Sequence, residues 1–69
     1  MEISARNIWK GKVKSINTGE VAAEVVVEIA PGVEAVAFIT KASVDKLGVE
    51  IGKEVVVAVK ATEVMIGKP

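Results

Sequence analysis

Apolar and polar residues alternate along the first part of the chain, and a period of two residues predicts β-strands. From Trp9 to Ser15, three lysines fall on one face of the predicted strand and apolar residues on the other. Asn17-Thr18-Gly19 has the composition of a turn. A second strand is predicted from Glu20 to Ile29, with an apolar face opposite a face that carries three glutamates. In an antiparallel pair these glutamates can meet the lysines, and we prefer this structural interpretation of both charged rows to a binding role.

Two further segments predict strands that are apolar on both faces. Pro31-Gly32 suits the two central positions of a type II turn, and Val33–Ile39 follows as a third strand. Glu54–Lys60 predicts a fourth strand of the same kind, and Val64–Ile66 predicts a short fifth strand near the end of the chain. A strand in a single barrel needs only one apolar face, so the second face needs a partner outside the barrel. The simplest partner is another copy of the chain.

A short helix is predicted between the third and fourth strands, from Lys41 to Leu47. Thr40 suits its N-cap and Gly48 its C-terminal cap. The order of three strands, a short helix and two strands is that of an OB-type barrel. The sequence therefore predicts an all-β fold, a five-stranded OB-like barrel with one short helix between strands three and four. The length of 69 residues allows one domain, spanning residues 1–69.

The composition indicates an oligomer. Hydrophobic residues make up 51% of the chain, and a small lone domain buries only part of so much apolar surface. A core of this size usually supplies only about 3–5 kcal/mol. The chain has no cysteine, so disulfides are excluded as a further source of stability. Association between copies of the chain remains as the source of additional stability.

Charge and residue content exclude several classes of function. Nine basic and nine acidic residues give zero net charge, which argues against a nucleic-acid binder that relies on a basic face. A single-stranded nucleic-acid-binding OB-fold protein stays as the alternative, although only Trp9 and Phe38 are aromatic. Without histidine or cysteine the usual general base, nucleophile and metal ligands are missing, so we expect neither an enzyme nor a metal site. No signal peptide or membrane span is visible, and we expect a cytoplasmic protein without a membrane partner.

Three segments carry donors for an anion. The first, Ser4–Asn7, contains Arg6, the only arginine of the chain, whose planar fork of N–H groups matches the oxygens of an oxyanion. The second, Thr40–Ser43, begins the predicted helix with two hydroxyls and free N–H groups. The third, Lys60–Thr62, offers an ammonium, N–H groups and a hydroxyl. Each also has a purely structural interpretation, as a chain terminus, a helix cap or a solvated lysine at the end of a strand.

The same three segments resemble the molbindin family, small cytoplasmic proteins that bind molybdate and tungstate. The resemblance rests on Ser4-Ala5-Arg6-Asn7 at the start, Ile39–Val44 in the middle and Val59–Met65 at the end, which contains Lys-x-Thr-x-Val-Met. These motifs follow the family's order at compatible spacings, and the resemblance covers nearly the whole chain. It implies an OB-like domain that assembles as a hexamer, in effect a trimer of dimers.

The resemblance also implies an oxyanion site shared between two subunits. One chain would supply Ser4, Arg6, Lys60 and the backbone N–H of Ala61, and its neighbour would supply Thr40 and Ser43. The family often has a serine where this chain has Ala61, so one hydroxyl is missing here while the N–H remains. Molbindins have a second kind of site near the symmetry axes, whose residues the sequence does not assign. The bound ligand would be molybdate or tungstate, with no organic cofactor.

The implied function is intracellular storage or homeostasis of these oxyanions. A buried tetrahedral dianion needs its charge and its oxygens satisfied. Arg6 and Lys60 would balance the two negative charges, while hydroxyls and N–H groups donate to individual oxygens. Sulfate has the same charge but shorter bonds, so the size of the cavity would exclude it. Phosphate keeps protons near neutral pH, and a pocket made only of donors offers those protons no acceptor.

Overall fold

The computed structural model describes the whole chain, Met1–Pro69. Its elements are β1 (Asn7–Thr18), β2 (Ala22–Ala30), β3 (Val33–Thr40), α1 (Lys41–Leu47), β4 (Glu54–Val59) and a 3-10 turn (Ala61–Glu63). The predicted helix is confirmed, with Thr40 as its N-cap and Gly48 as its C-cap. Gly48 has a φ of 64°, in the left-handed region that glycine adopts without strain. The first four strands also follow the predicted order.

The strands form one antiparallel sheet in the order β3-β2-β1-β4. β1 is long enough to pair with two neighbouring strands: its residues Asn7–Lys12 pair with β4, and its residues Lys12–Thr18 pair with β2. The sheet curls so that β2 contacts β4 across its concave side, but the edge strands β3 and β4 do not pair with each other. The fold is therefore an open, OB-like half-barrel, mostly β with one short helix.

The predicted fifth strand, Val64–Ile66, is not confirmed. After β4 the chain enters the 3-10 turn, which two backbone hydrogen bonds of 2.8 and 3.3 Å close. The second of these bonds uses the N–H of Val64, which a ladder would need, and Val64–Ile66 joins no strand. The three side chains stay exposed, by 46%, 91% and 93% in chain order. A single chain thus has four strands and an unpaired segment, Val64–Ile66, that we call the apolar tail.

β1 extends beyond the predicted Trp9–Ser15 at both ends and contains a bulge. The pairing of β1 with β2 shifts register between Val13 and Ser15, so that Lys14 is the extra residue. Beyond the bulge, Ile16 packs against the same core as Val13. Lys14 Nζ lies 3.9 Å from Glu28 Oε2, which is the only ion pair between the predicted rows of lysines and glutamates.

The core lies on the concave side of the sheet and is very small. Its buried residues are Val13, Ala23, Val25, Val27 and Val44. Because the barrel is open, an apolar groove of about 550 Å³ remains beside this core. The residues that line it include Ala37 and Ile39 of β3 and Val55 and Val57 of β4. We call it the open groove.

The outer face of the sheet also carries exposed apolar side chains. Val36 and Phe38 of β3 are exposed by 64% and 77%, and Ile8 of β1 and Val56 of β4 are exposed by 40% and 45%. The prediction that strands three and four are apolar on both faces is therefore confirmed. Both faces of the sheet offer apolar surface that a single chain does not cover.

Gly11→Ala tests the packing at the point where β1 passes from β4 to β2. A Cβ at Gly11 would lie 2.6 Å from Val27 Cγ1 and 2.7 Å from Glu28 O, and neither neighbour moves without disturbing the sheet. We expect a loss of about 1–3 kcal/mol in the free energy of unfolding, as for other overpacked cores. Urea denaturation followed by circular dichroism measures it. Gly67→Ala is the control, since a Cβ there meets nothing within 4 Å; equal stability of the two variants would contradict the close approach.

Candidate functional site

A cleft of about 400 Å³ opens where the N-terminal segment runs beside the end of β4. It is lined by Ile3, Ser4, Ala5, Arg6, Ala58, Lys60, Ala61 and Thr62. Strand pairing holds the two segments together, because Asn7 lies opposite Val59 and its Nδ2 group donates to Val59 O at 3.2 Å. The structure thus brings together four of the six predicted site residues, which we call the cleft group: Ser4, Arg6, Lys60 and Ala61.

The two cations of the cleft group have no anionic partner within the chain. The ion pairs of the protein lie elsewhere, at Lys14–Glu28 and at the exposed Lys53–Glu50 pair, where the two charged atoms are 2.7 Å apart. The hydrogen bond from Lys53, and then its charge, hold the pKa of Glu50 below its usual value, and the pKa of Lys53 is raised in return. No carboxylate lines the cleft. Arg6 and Lys60 therefore present two positive charges that a bound dianion would neutralise.

Backbone N–H groups around the cleft add neutral donors. Those of residues 4–6 and of Lys60 donate to no backbone carbonyl. Those of Ala61 and Thr62 open the 3-10 turn, whose own hydrogen bonds begin only at the N–H of Glu63. Polar groups without a protein partner must be satisfied by water or by a ligand. The cleft is accordingly rich in donors and has no charged acceptor.

Two residues with hydroxyl side chains also line the cleft, Ser4 and Thr62. Neither takes part in a side-chain hydrogen bond within the protein. Thr62 is not among the residues that the family resemblance assigns to the site. The signal for it was present in the sequence, as the hydroxyl of the Lys60–Thr62 segment.

Thr40 and Ser43 lie at a different corner of the sheet, and we call them the cap group. Two strands separate β3 from β4, and Thr40 lies level with the end of β1 whereas the cleft lies at its beginning. Thr40 Oγ1 accepts a hydrogen bond from the N–H of Ser43 at 3.0 Å and donates to Ser43 Oγ at 2.8 Å. The structural interpretation of Thr40 as a helix cap is confirmed, and the Ser43 hydroxyl hydrogen remains free to donate. Within one chain, the cleft group and the cap group cannot touch the same small anion.

The structure contains no cluster of three or more histidine, cysteine, aspartate or glutamate residues arranged to hold a metal ion. The single α-helix, α1, is too short to cross a membrane.

Comparison with known proteins identifies the domain. Residues 3–66 match the TOBE domain family. Molybdenum-pterin-binding protein 2 of Clostridium pasteurianum is 52% identical over 66 residues, which cover 96% of this chain and 97% of that protein. A molybdate-binding protein from Sporomusa ovata has 43% identity and a TM-score of 0.90, over 99% of this chain and 100% of that one. The cytoplasmic molybdate-binding protein ModG, solved with molybdate bound, has 40% identity and a TM-score of 0.93, over 100% of this chain and 49% of that one.

These matches define the class as a small TOBE domain with an OB-like fold. The chain belongs to the family of molybdenum-pterin-binding (Mop) proteins within that class. The family prediction made from the three sequence motifs is thereby confirmed. The names of these relatives describe binding proteins and not enzymes.

Proposed function

We propose that this protein binds molybdate or tungstate in the cytoplasm, for storage or homeostasis, as a homo-oligomer whose anion sites lie at subunit interfaces. The observation that carries the proposal is the cleft group, in which two cations without carboxylate partners stand beside free N–H groups and hydroxyls. A tetrahedral oxyanion without protons offers only acceptors, so every group that points at it must donate. The relatives that are named for binding molybdate support the choice of ligand.

A neighbouring chain completes the site. The cleft group leaves one side of the anion open to solvent, and desolvating a dianion is costly unless its remaining oxygens find donors. The cap group of a second chain supplies two further hydroxyls, because the Ser43 hydrogen is free to donate and the Thr40 hydroxyl donates once it turns from Ser43 Oγ to the anion. The cleft group and the cap group lie at opposite corners of one chain. A two-fold pair of chains can therefore set each cleft group against the partner's cap group. Such a dimer has two equal sites, one for each chain.

The uncovered apolar surface supports the oligomer. Only five of 69 residues are buried, which is a small core even for a domain of this length. The open groove lacks a strand between β3 and β4, and the apolar tail is an extended segment that lacks a strand partner. If the apolar tail of one chain lies on the open groove of another, it adds a strand to an open sheet edge. The groove is then covered, and the tail gains a strand partner. We take the assembly to be a hexamer, a trimer of such dimers, as the family resemblance implies.

Isothermal titration calorimetry of the purified protein, combined with native mass spectrometry, tests the proposal. We expect molybdate and tungstate to bind with affinities within about threefold of each other, because shape and charge are the same. Sulfate is expected to bind at least about 100-fold more weakly, a difference of about 2.8 kcal/mol. The mass spectrum should show an oligomer that gains at least one anion per chain. A monomer, or a protein that takes up no molybdate, would refute the proposal.

The nucleic-acid alternative has little physical support. Base stacking on an OB-fold requires aromatic side chains that share a surface. Trp9 lies opposite Val57 on the concave side of the sheet, whereas Phe38 lies opposite Glu24 on the outer face. The two aromatic side chains therefore cannot form one stacking platform.

A further inference from the structure

We infer that the Thr62 hydroxyl donates a hydrogen bond to the bound oxyanion and so supplies the side-chain donor that Ala61 lacks. The inference rests on the proposed function and extends the site beyond the residues that the family resemblance assigns. It is argued from one geometric fact, that Thr62 lines the cleft beside Lys60 and Ala61.

The 3-10 turn directs Thr62 into the cleft. Three residues make one turn of such a helix, so successive side chains point in directions about 120° apart. Ala61 and Thr62 both line the cleft, and Glu63 does not. The turn therefore places Thr62 in the wall of the cleft and leaves the Glu63 carboxylate outside that wall. The same turn leaves the N–H of Thr62 free, so one residue offers two donors.

The hydroxyl has no structural task in the chain. It makes no hydrogen bond to any protein group, and the turn has no side-chain cap. Thr62 is exposed, so the hydroxyl is not needed to satisfy a buried group. Valine has nearly the same shape as threonine and lacks only the hydroxyl. Thr62→Val should therefore leave folding and assembly unchanged while removing one donor from the cleft.

Ala61 has no polar side chain, so it offers the anion only its backbone N–H. Thr62 follows directly in the chain and lines the same cleft, and its hydroxyl can provide the missing side-chain donor. A dianion has four oxygens, and a hydrogen bond to a charged acceptor is worth more than a neutral one. Arg6, Lys60 and Ser4 provide the other side-chain donors of this chain. Loss of a single hydroxyl from such a set is expected to weaken binding about tenfold to a hundredfold.

Calorimetric titration of the full-length protein with sodium molybdate decides the matter, using wild type, Thr62→Val, Thr62→Ser and the control Thr18→Val. Thr18 is exposed and makes no side-chain hydrogen bond, and it lies outside the cleft. We expect Thr62→Val to raise the dissociation constant at least about tenfold. Thr62→Ser and Thr18→Val should stay within about threefold of wild type. Native mass spectrometry and thermal unfolding should give the same oligomer and the same Tm for all four proteins.

If the wild-type protein binds molybdate and Thr62→Val binds it with unchanged affinity, the inference is overturned and the proposed function stays intact. Weak binding by Thr62→Ser would also overturn it, since serine retains the hydroxyl. A change in oligomer or Tm in Thr62→Val would overturn it as well, because the hydroxyl would then have a structural task. A wild-type protein that binds no molybdate would refute the proposed function itself, and this inference with it.

Discussion

Arg6→Ala should weaken molybdate binding at least about 100-fold, a loss of about 2.8 kcal/mol. Arg6 is the only guanidinium of the chain, and it lines the cleft with no carboxylate to compete for its N–H groups. The substitution removes one of two positive charges and two parallel donors at once, and the remaining charge of Lys60 leaves the dianion half neutralised. Calorimetry at fixed ionic strength measures the effect.

Two control variants separate the causes. Arg6→Lys keeps the charge but lacks the planar fork, so an intermediate loss is expected. Lys53→Gln removes a positive charge far from the cleft, at an exposed ion pair whose contribution to stability is small. It should bind molybdate as the wild type does. An affinity for Arg6→Ala that matches that of Lys53→Gln would show that the guanidinium is not in the site.

The double substitution Met65→Asp with Ile66→Asp should break the assembly and abolish molybdate binding together. It places two carboxylates on the apolar tail, and burying each of them in the open groove of another chain costs several kcal/mol unless it is paired. The separated chain retains only five buried residues, so its thermal transition should also move to a lower temperature. Analytical ultracentrifugation gives the mass, and calorimetry gives the loss of binding.

Lys68→Asp is the matched control for the tail. It adds an acidic group three residues after Met65, outside the apolar tail, without removing an apolar side chain. The oligomer and its affinity for molybdate should persist in this variant. If the Met65→Asp, Ile66→Asp protein also kept its mass and its affinity, the tail would lie outside the interface and the open groove would need another explanation.

Local signals in the sequence were sufficient for some elements of the fold. The helix α1 begins and ends where its caps, Thr40 and Gly48, predict, because capping depends on residues adjacent in sequence. The inward positions of β2 follow from simple alternation. The predicted turn at Asn17-Thr18-Gly19 is wrong in its first two residues, which belong to β1. A bulge at Lys14 restores the inward direction of Ile16, and an alternation pattern does not reveal a bulge.

The sequence did not predict which distant segments pair with each other. The apolar tail has the composition of a strand, but a strand forms only where an edge is within reach, and composition does not say whether that edge lies in the same chain. The same limit applies to the candidate site. The motifs identified Ser4, Arg6 and Lys60, yet only the pairing of β1 with β4 brings them to one cleft. That Thr40 lies at another corner follows from the strand order, which no local pattern encodes.

If the cleft group and the cap group form one site across two chains, as proposed, their place at opposite corners of one chain links anion occupancy to protein concentration. On the proposed arrangement, chains that separate lose the Thr40 and Ser43 donors around each anion, so dilution promotes release and accumulation of the protein promotes uptake. The linkage is reciprocal, and the anion must stabilise the assembly by the same free energy by which assembly strengthens anion binding. A cell that makes more of such a protein gains tighter retention of the anion as well as a larger store.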